Sequence, residues 1–183
     1  MRRCLGDGIA QLPTLVRRVL TCAAVLGRDI RLDLLLELTG ETEDVVLDAI
    51  DAALLVGLVT EPEPGRLAFP HALVRDAVYE TASRMRRTRL HVRAGAAIER
   101  HRPGAVTAIA YHYETASDPE LANLTLRYAR LAALEAERRY AFHEASRWWR
   151  VALDASDQVG EPERTGCGCS CPGCERSPRP VTW

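Results

Sequence analysis

The feature that most constrains the fold of this chain is the order of helix and strand patterns in its first 70 residues. Three stretches with apolar residues at helical spacing come first, within residues 12–27, 32–40 and 42–57. Two short extended runs, residues 58–60 and 66–69, then flank a turn rich in Pro and Gly, which predicts a β-hairpin. Three helices followed by a hairpin is the order of a winged helix, and we predict that architecture here.

The residues after the hairpin continue with helical spacing. We predict helices over residues 71–82, 83–100, 106–115, 121–139 and 140–153. Large apolar residues and small alanines alternate in the last two, as in an antiparallel helix pair, and the spacing resembles one tetratricopeptide repeat. The stripes predicted to face each other are Leu124, Tyr128 and Leu131 in one helix, and Phe142, Ala145, Trp149 and Ala152 in the other.

The composition changes abruptly near the end of the sequence. From residue 160 to 183, Gly, Pro and Cys make up half of the segment, and Val181 is its only aliphatic residue. Such a segment buries too little apolar surface to offset the entropy of ordering it. The predicted fold class is therefore mainly α, with a winged-helix-like domain (9–70), a helical region leading into a tetratricopeptide-like repeat (71–158) and a disordered tail (159–183).

The composition of the whole chain excludes several function classes. It has 183 residues, of which 47% are hydrophobic, so it can bury a core. All 24 basic residues are Arg, and the absence of Lys excludes Schiff-base chemistry and a Lys that binds phosphate in a P-loop. No apolar run approaches the roughly 18 residues that span a bilayer, and polar residues interrupt the N-terminus before a signal sequence forms. We therefore predict a cytoplasmic protein without membrane contact.

Opposite charges are concentrated in neighbouring segments. Residues 32–65 contain nine acidic residues and no basic one, so the presumed recognition helix and wing would repel DNA phosphates and favour a protein contact. Residues 66–102 contain nine Arg against three acidic residues. This basic helix has two interpretations, a solvated face paired with the acidic segment of the same chain or a neighbour, or a contact to nucleic acid or a nucleotide phosphate. The candidate interaction residues are Arg84, Arg86, Arg87, Arg89 and Arg93.

The sequence contains no convincing catalytic or metal site. The histidines lack the spacing of a zinc hydrolase, and no nucleophile motif such as G-x-S-x-G occurs. We interpret His71 and His112 as capping or packing residues, and at least one of Trp148 and Trp149 as a core residue rather than a base-stacking one. We therefore predict that the chain is not an enzyme and holds no cofactor. Weak candidate ligands for a soft metal, with reactive thiols in a disordered tail as the favoured alternative, are Cys167, Cys169, Cys171 and Cys174.

Three separated motifs resemble one family. Residues 69–80 (FPHALVRDAVYE) and 86–91 (RRTRLH) resemble the F-x-H-A-L-(I/V)-R-(E/D)-A-(L/V)-Y … R-R-x-x-L-H signature of large signal-transduction ATPases. These are bacterial transcriptional regulators of the LuxR and antibiotic-regulator types, common in actinomycetes. Residues 12–13 and 23–28 resemble the helix that opens their winged-helix segment, and residues 110–113 resemble the A-x-H-Y start of their tetratricopeptide array.

The resemblance implies a larger plan of which this chain contains a part. Family members combine an N-terminal ATPase module, a winged-helix connector, a long repeat array and often a DNA-binding helix-turn-helix. This sequence has no P-loop motif, so we interpret it as a fragment that serves as a non-catalytic interaction and coupling module. Its expected partner is a protein or a second copy of the chain, with DNA bound only through the parts of the regulator missing here. The alternative is a small nucleic-acid-binding regulator that uses the Arg-rich helix 84–102.

Overall fold

The computed structural model describes residues 11–28 and 30–159, and this part of the chain is mainly helical, which confirms the predicted fold class. The disordered tail was predicted to begin at residue 159, but Val159 is the last residue of a helix, and residues 160–183 lie outside the described residues. In chain order the elements are α1 (Thr14–Leu26), β1 (Ile30–Arg31), α2 (Leu32–Thr39), α3 (Glu43–Leu55), β2 (Thr60–Glu63), β3 (Arg66–Ala68), α4 (Ala72–Glu80), α5 (Arg84–His101), α6 (Val106–Ala116), a 3₁₀ turn (Pro119–Leu121), α7 (Ala122–Arg138) and α8 (Phe142–Val159).

The first six elements follow the order of a winged helix. Their sheet is antiparallel with strand order β1-β3-β2, and Ile30 of β1 lies opposite Leu67 of β3. Both side chains are buried in the apolar core. Pro62 lies in β2, an edge strand, where the missing N–H of proline is tolerated. The sequence did not predict β1, because two residues are too few to show an alternating pattern.

Most helix ends follow their sequence signals. Gly27 and Gly40 follow α1 and α2 with φ angles of 100° and 69°, a conformation that glycine adopts readily. The Ser83 side chain caps α5 by accepting a hydrogen bond from the backbone N–H of Arg86 at 3.3 Å. Thr42 precedes α3, but its side chain makes no capping hydrogen bond. The acidic residues in the first turn of α3 therefore supply the favourable charge at that end.

The helices after the hairpin pack in sequence, each against the next from α5 to α8. Gly95 of α5 lies against the ring of Tyr113 in α6, so the two helices approach closely at that point. One buried apolar cluster includes residues of the winged-helix segment and of α5 to α8, among them Val16 and Trp148. Among the described helices, none combines the length and apolar character needed to cross a bilayer.

The prediction for the interface between α7 and α8 holds only in part, since Tyr128, Ala145 and Ala152 are buried as predicted but two other residues of the stripes are not. Leu131 and Phe142 are 40% and 64% exposed rather than packed against the partner helix. Trp148 is 1% exposed and belongs to the core, whereas Trp149 is half-buried. Most of the buried residues of the two helices are alanines, whose small side chains let helix backbones approach closely. The buried alanines are Ala122, Ala129, Ala132, Ala133 and Ala136 in α7, and Ala145, Ala152 and Ala155 in α8.

Candidate functional site

The Arg-rich helix α5 sends its arginines to two different places. Arg86, Arg89 and Arg93 line a groove that α5 forms with α1 and α2. Arg87 instead lies over the ring of Tyr79, with its guanidinium carbon 4.8 Å from the ring centroid, and so packs against α4. Arg84 is exposed and does not line the groove. The structure therefore brings three of the five predicted interaction residues together.

The groove, which we call the basic groove, has a volume of about 670 Å³. Its floor is apolar and consists of buried residues from three helices, Cys22 of α1, Leu38 of α2 and Leu90 of α5. Met85, 70% exposed, lies at its rim. The basic groove thus combines cationic walls with a floor that can contact carbon atoms.

Arg18 of α1 supplies a fourth arginine to the basic groove. Its guanidinium donates a hydrogen bond to Glu41 Oε1 at 2.7 Å. Sequence reasoning missed this residue because it lies almost 70 positions before the Arg-rich helix and only the fold brings the two helices together. The basic pair at residues 17–18, on an otherwise apolar helix, was the only signal for it.

The four arginines differ in how far the protein already neutralises them. Arg18 forms an ion pair with the carboxylate of Glu41. Arg93 donates a hydrogen bond to the backbone oxygen of Glu37 at 3.1 Å, at the C-terminal end of α2. Arg86 and Arg89 have no carboxylate within 4.0 Å in residues 11–28 and 30–159. The basic groove therefore contains positive charge that the described part of the chain leaves uncompensated.

The thiol of Cys22 lies beneath these charges. Burial raises the pKa of Cys22 to about 11, while the positive charges of Arg93, Arg18 and Arg86 act in the opposite direction. Three guanidinium groups are therefore close enough to one point on the groove floor to influence its titration. Because burial dominates, the thiol is protonated at neutral pH and is a poor nucleophile.

The other end of α5 joins the acidic segment. Glu37 of α2 forms an ion pair with Arg100 and a hydrogen bond with His101, whose Nε2 lies 2.6 Å from the carboxylate. This is the pairing within one chain that one interpretation of the charge pattern expected. This pairing involves only the last turn of α5, so it does not neutralise the arginines near the N-terminus of that helix.

Two histidines that sequence analysis did not connect form a buried pair. His91 Nδ1 of α5 lies 3.0 Å from His112 Nδ1 of α6, and the Tyr79 hydroxyl lies 2.9 Å from His91 Nε2. Burial lowers the pKa of both imidazoles below the ordinary value of 6.5, helped by Arg87 for His91 and by His91 for His112. The pair is therefore neutral at pH 7 and joins α4, α5 and α6. His71 is exposed and makes no capping hydrogen bond, so it has neither role predicted for it.

The helix α3, at the position of a recognition helix, exposes an acidic and apolar face. Leu47 and Leu55 on this face are 38% and 88% exposed. No carboxylate of the face forms an ion pair within the described ranges. We call this the acidic face, and its carboxylates belong to Glu43, Asp44, Asp48 and Asp51.

The weak candidate metal ligands, Cys167, Cys169, Cys171 and Cys174, lie outside the described residues. Within residues 11–28 and 30–159, no group of three or more His, Cys, Asp or Glu side chains is placed to hold a metal ion.

Comparison with known proteins gives one relative of undetermined function. No family model matches the chain, and no solved structure matches it. A protein of Rhizobium meliloti (strain 1021), described as uncharacterized, is 32% identical over 167 residues. The similarity covers 87% of this chain and 16% of that protein, so the chain spans about a sixth of the length of its relative.

Proposed function

We propose that this chain is a non-catalytic interaction and coupling module of a cytoplasmic ATP-dependent transcriptional regulator of the LuxR or antibiotic-regulator type. The observation that carries the proposal is the acidic face on α3. In a DNA-binding winged helix this position faces phosphates, which carboxylates repel. Here the exposed carboxylates surround Leu47 and Leu55, a combination that suits a protein partner with basic and apolar side chains.

The longer relative supports a role as a connecting segment. The chain corresponds to about a sixth of the Rhizobium meliloti protein, and its motifs resemble the region between the ATPase module and the repeat array of the regulators named above. The winged-helix segment and the helices α5 to α8 share one apolar cluster. A displacement of the winged-helix segment would thereby reach the helical region, which is what a coupling module requires.

The side chains with catalytic potential support a role without catalysis. Burial keeps the Cys22 thiol protonated, with a pKa of about 11. The imidazoles of His91 and His112 are buried and form a hydrogen bond with each other. The chain therefore contributes contacts, and the ATPase chemistry belongs to another module of the regulator.

The first test measures the activities that the proposal excludes. The purified 183-residue chain is titrated with duplex and single-stranded DNA at several salt concentrations, and its ATP hydrolysis is compared with a mock purification. We expect no sequence-specific DNA binding at physiological salt and no hydrolysis above the control. Sequence-specific binding that depends on α3, or hydrolysis that copurifies with the chain, contradicts the proposal.

The second test measures the contact itself. The acidic face is neutralised in the triple variant Asp44→Asn/Asp48→Asn/Asp51→Asn, and each variant is used to capture partners from the native cytoplasm. The partner captured by the wild type should be lost from this variant. A matched control neutralises three exposed acidic residues elsewhere, Glu120→Gln/Asp154→Asn/Asp157→Asn, and should retain it. Retention by the first variant would contradict a role for the acidic face.

A further inference from the structure

The basic groove has features that a protein-contact role for α3 does not explain. It lies between α1, α2 and α5, contains four arginines and has an apolar floor. Two of those arginines, Arg86 and Arg89, have no carboxylate partner in the described part of the chain. Placing like charges around a concave surface raises the free energy of the empty protein, so an anion bound there would be stabilised.

We infer that the basic groove binds a small molecule that carries at least two adjacent phosphate groups. Arginine guanidinium groups form paired, charge-assisted hydrogen bonds to phosphate oxygens. Arg86, Arg89 and Arg93 follow one face of α5 over two turns, about 10 Å, which is longer than one phosphate group. The Arg18 side chain from α1 lies on the same groove, so the phosphates would be bound from two helices.

The N-terminus of α5 adds to this cationic environment. Ser83, which caps the helix, lines the basic groove together with Arg86. The N-terminal end of an 18-residue helix carries partial positive charge that favours phosphate. The N-terminal end of α5 and the guanidinium groups thus both favour the binding of an anion.

Size and the neighbouring charges favour a small ligand over nucleic acid. A volume of about 670 Å³ lies in the range of small-molecule sites, roughly 300–1,000 Å³. Glu41, which pairs with Arg18 at the groove, is followed within three residues by the carboxylates of Glu43 and Asp44. A long polyanion that leaves the groove on that side would meet this negative charge, whereas a short phosphorylated molecule avoids it. The apolar floor can receive the carbon part of such a molecule.

The experiment is a calorimetric titration of the full chain at physiological ionic strength with orthophosphate, pyrophosphate and UDP. We expect pyrophosphate to bind in a saturable manner, with one molecule per chain and at least tenfold more tightly than orthophosphate. UDP binding more tightly than pyrophosphate would assign an organic diphosphate, and weaker UDP binding would assign an inorganic one. Both results support the inference.

Paired variants test whether the basic groove is the site. Arg86→Gln/Arg89→Gln should weaken pyrophosphate binding at least tenfold. Arg130→Gln/Arg150→Gln removes the same charge from exposed positions on α7 and α8 and should change it less than twofold. Neither pair of side chains forms an ion pair in the described residues, so both variants should keep the circular dichroism of the wild type.

Three results would overturn the inference. Pyrophosphate could show no saturable binding up to about 1 mM, which corresponds to a binding free energy weaker than about −4 kcal/mol. The two double variants could weaken it equally, which would mean a general charge effect. Single-stranded DNA of about ten nucleotides could bind more tightly than pyrophosphate and lose affinity in Arg86→Gln/Arg89→Gln, which would assign the groove to nucleic acid instead.

Discussion

Replacing Gly95 with alanine tests the close approach of α5 and α6. A β-carbon at this position would lie 2.8 Å from Cε1 of Tyr113 and 3.1 Å from Cδ1 and Cζ of the same ring. The ring has little freedom to move, because Tyr113 is buried, its hydroxyl donates to Glu99 Oε2 at 3.1 Å, and it packs against Tyr128. The added methyl group therefore forces the helices apart or distorts the ring.

Two opposing effects determine the magnitude. Gly→Ala in a helix interior stabilises by about 0.5–1 kcal/mol when the side chain has space. Overpacking of a core costs about 1–3 kcal/mol. The shortest contact at Gly95, 2.8 Å, is below the distance that real β-carbons tolerate, so we expect overpacking to dominate. The predicted net loss in the free energy of unfolding is about 1–2 kcal/mol.

Urea denaturation followed by circular dichroism measures this loss. Gly104→Ala is the matched control, since a β-carbon there meets no atom within 4 Å, and it should change stability by less than about 0.5 kcal/mol. Removing the ring with Tyr113→Leu should abolish the penalty, so that Gly95→Ala in that background is neutral or stabilising. If Gly95→Ala stabilises the otherwise unchanged protein, the helices are not in the contact described here.

The remaining predictions concern buried polar and aromatic groups. Because the native pKa values of His91 and His112 lie below the unfolded value of about 6.5, the unfolded chain binds more protons below that pH. Stability should therefore fall as the pH drops from 7 to 5, and His112→Gln should reduce the fall; an identical fall in both proteins would refute this origin. Trp148→Ala should cost about 3–5 kcal/mol by urea denaturation, and Trp149→Ala clearly less, since only the first side chain is fully buried. The carboxylate of Glu99 accepts hydrogen bonds from the hydroxyls of Tyr128 and Tyr113 at 2.5 and 3.1 Å. Glu99→Gln places an N–H donor opposite one of these hydroxyls, so the free energy of unfolding should fall by about 1–3 kcal/mol. A thermal unfolding midpoint equal to that of the wild type would count against this expectation.

Local patterns were sufficient for most of the fold. Helical spacing and the glycines at positions 27 and 40 placed α1 and α2, because both signals act within a few residues. The turn rich in Pro and Gly placed the hairpin for the same reason. The strand β1 was missed because it has two residues and exists only through its pairing with β3, which a local pattern does not contain.

The prediction of which side chains lie between α7 and α8 was partly wrong, for a different reason. Leu131 and Phe142 have the larger hydrophobic surface and were assigned to the interface, but they are exposed. Ala132 and Ala136, which the predicted stripe did not include, are buried instead, whereas Ala145 is buried as predicted. Hydrophobicity alone ranks leucine above alanine, whereas the distance between the helix axes decides which side chain fits. That distance depends on both packed helices and cannot be predicted from the sequence of either one alone.

The candidate site was predictable only within a single helix. The charge surplus in α5 identified five arginines, of which Arg86, Arg89 and Arg93 line the basic groove. Arg18 and the pairing of His91 with His112 depend on contacts between helices far apart in sequence. Charge counting along the chain therefore found three of the four arginines of the basic groove and none of its other lining residues.

The pairing of β1 with β3 has a consequence for how the chain reaches its structure. Ile30 and Leu67 meet across a loop of about 35 residues, whereas α7 and α8 are joined by a short turn and touch almost at once. Contacts that close long loops form slowly compared with local ones. During synthesis, residues 30 and 31 therefore cannot become a strand until residues 66–68 have left the ribosome. The sheet of the winged-helix segment is completed in one step with the hairpin, after all three of its helices have been synthesised.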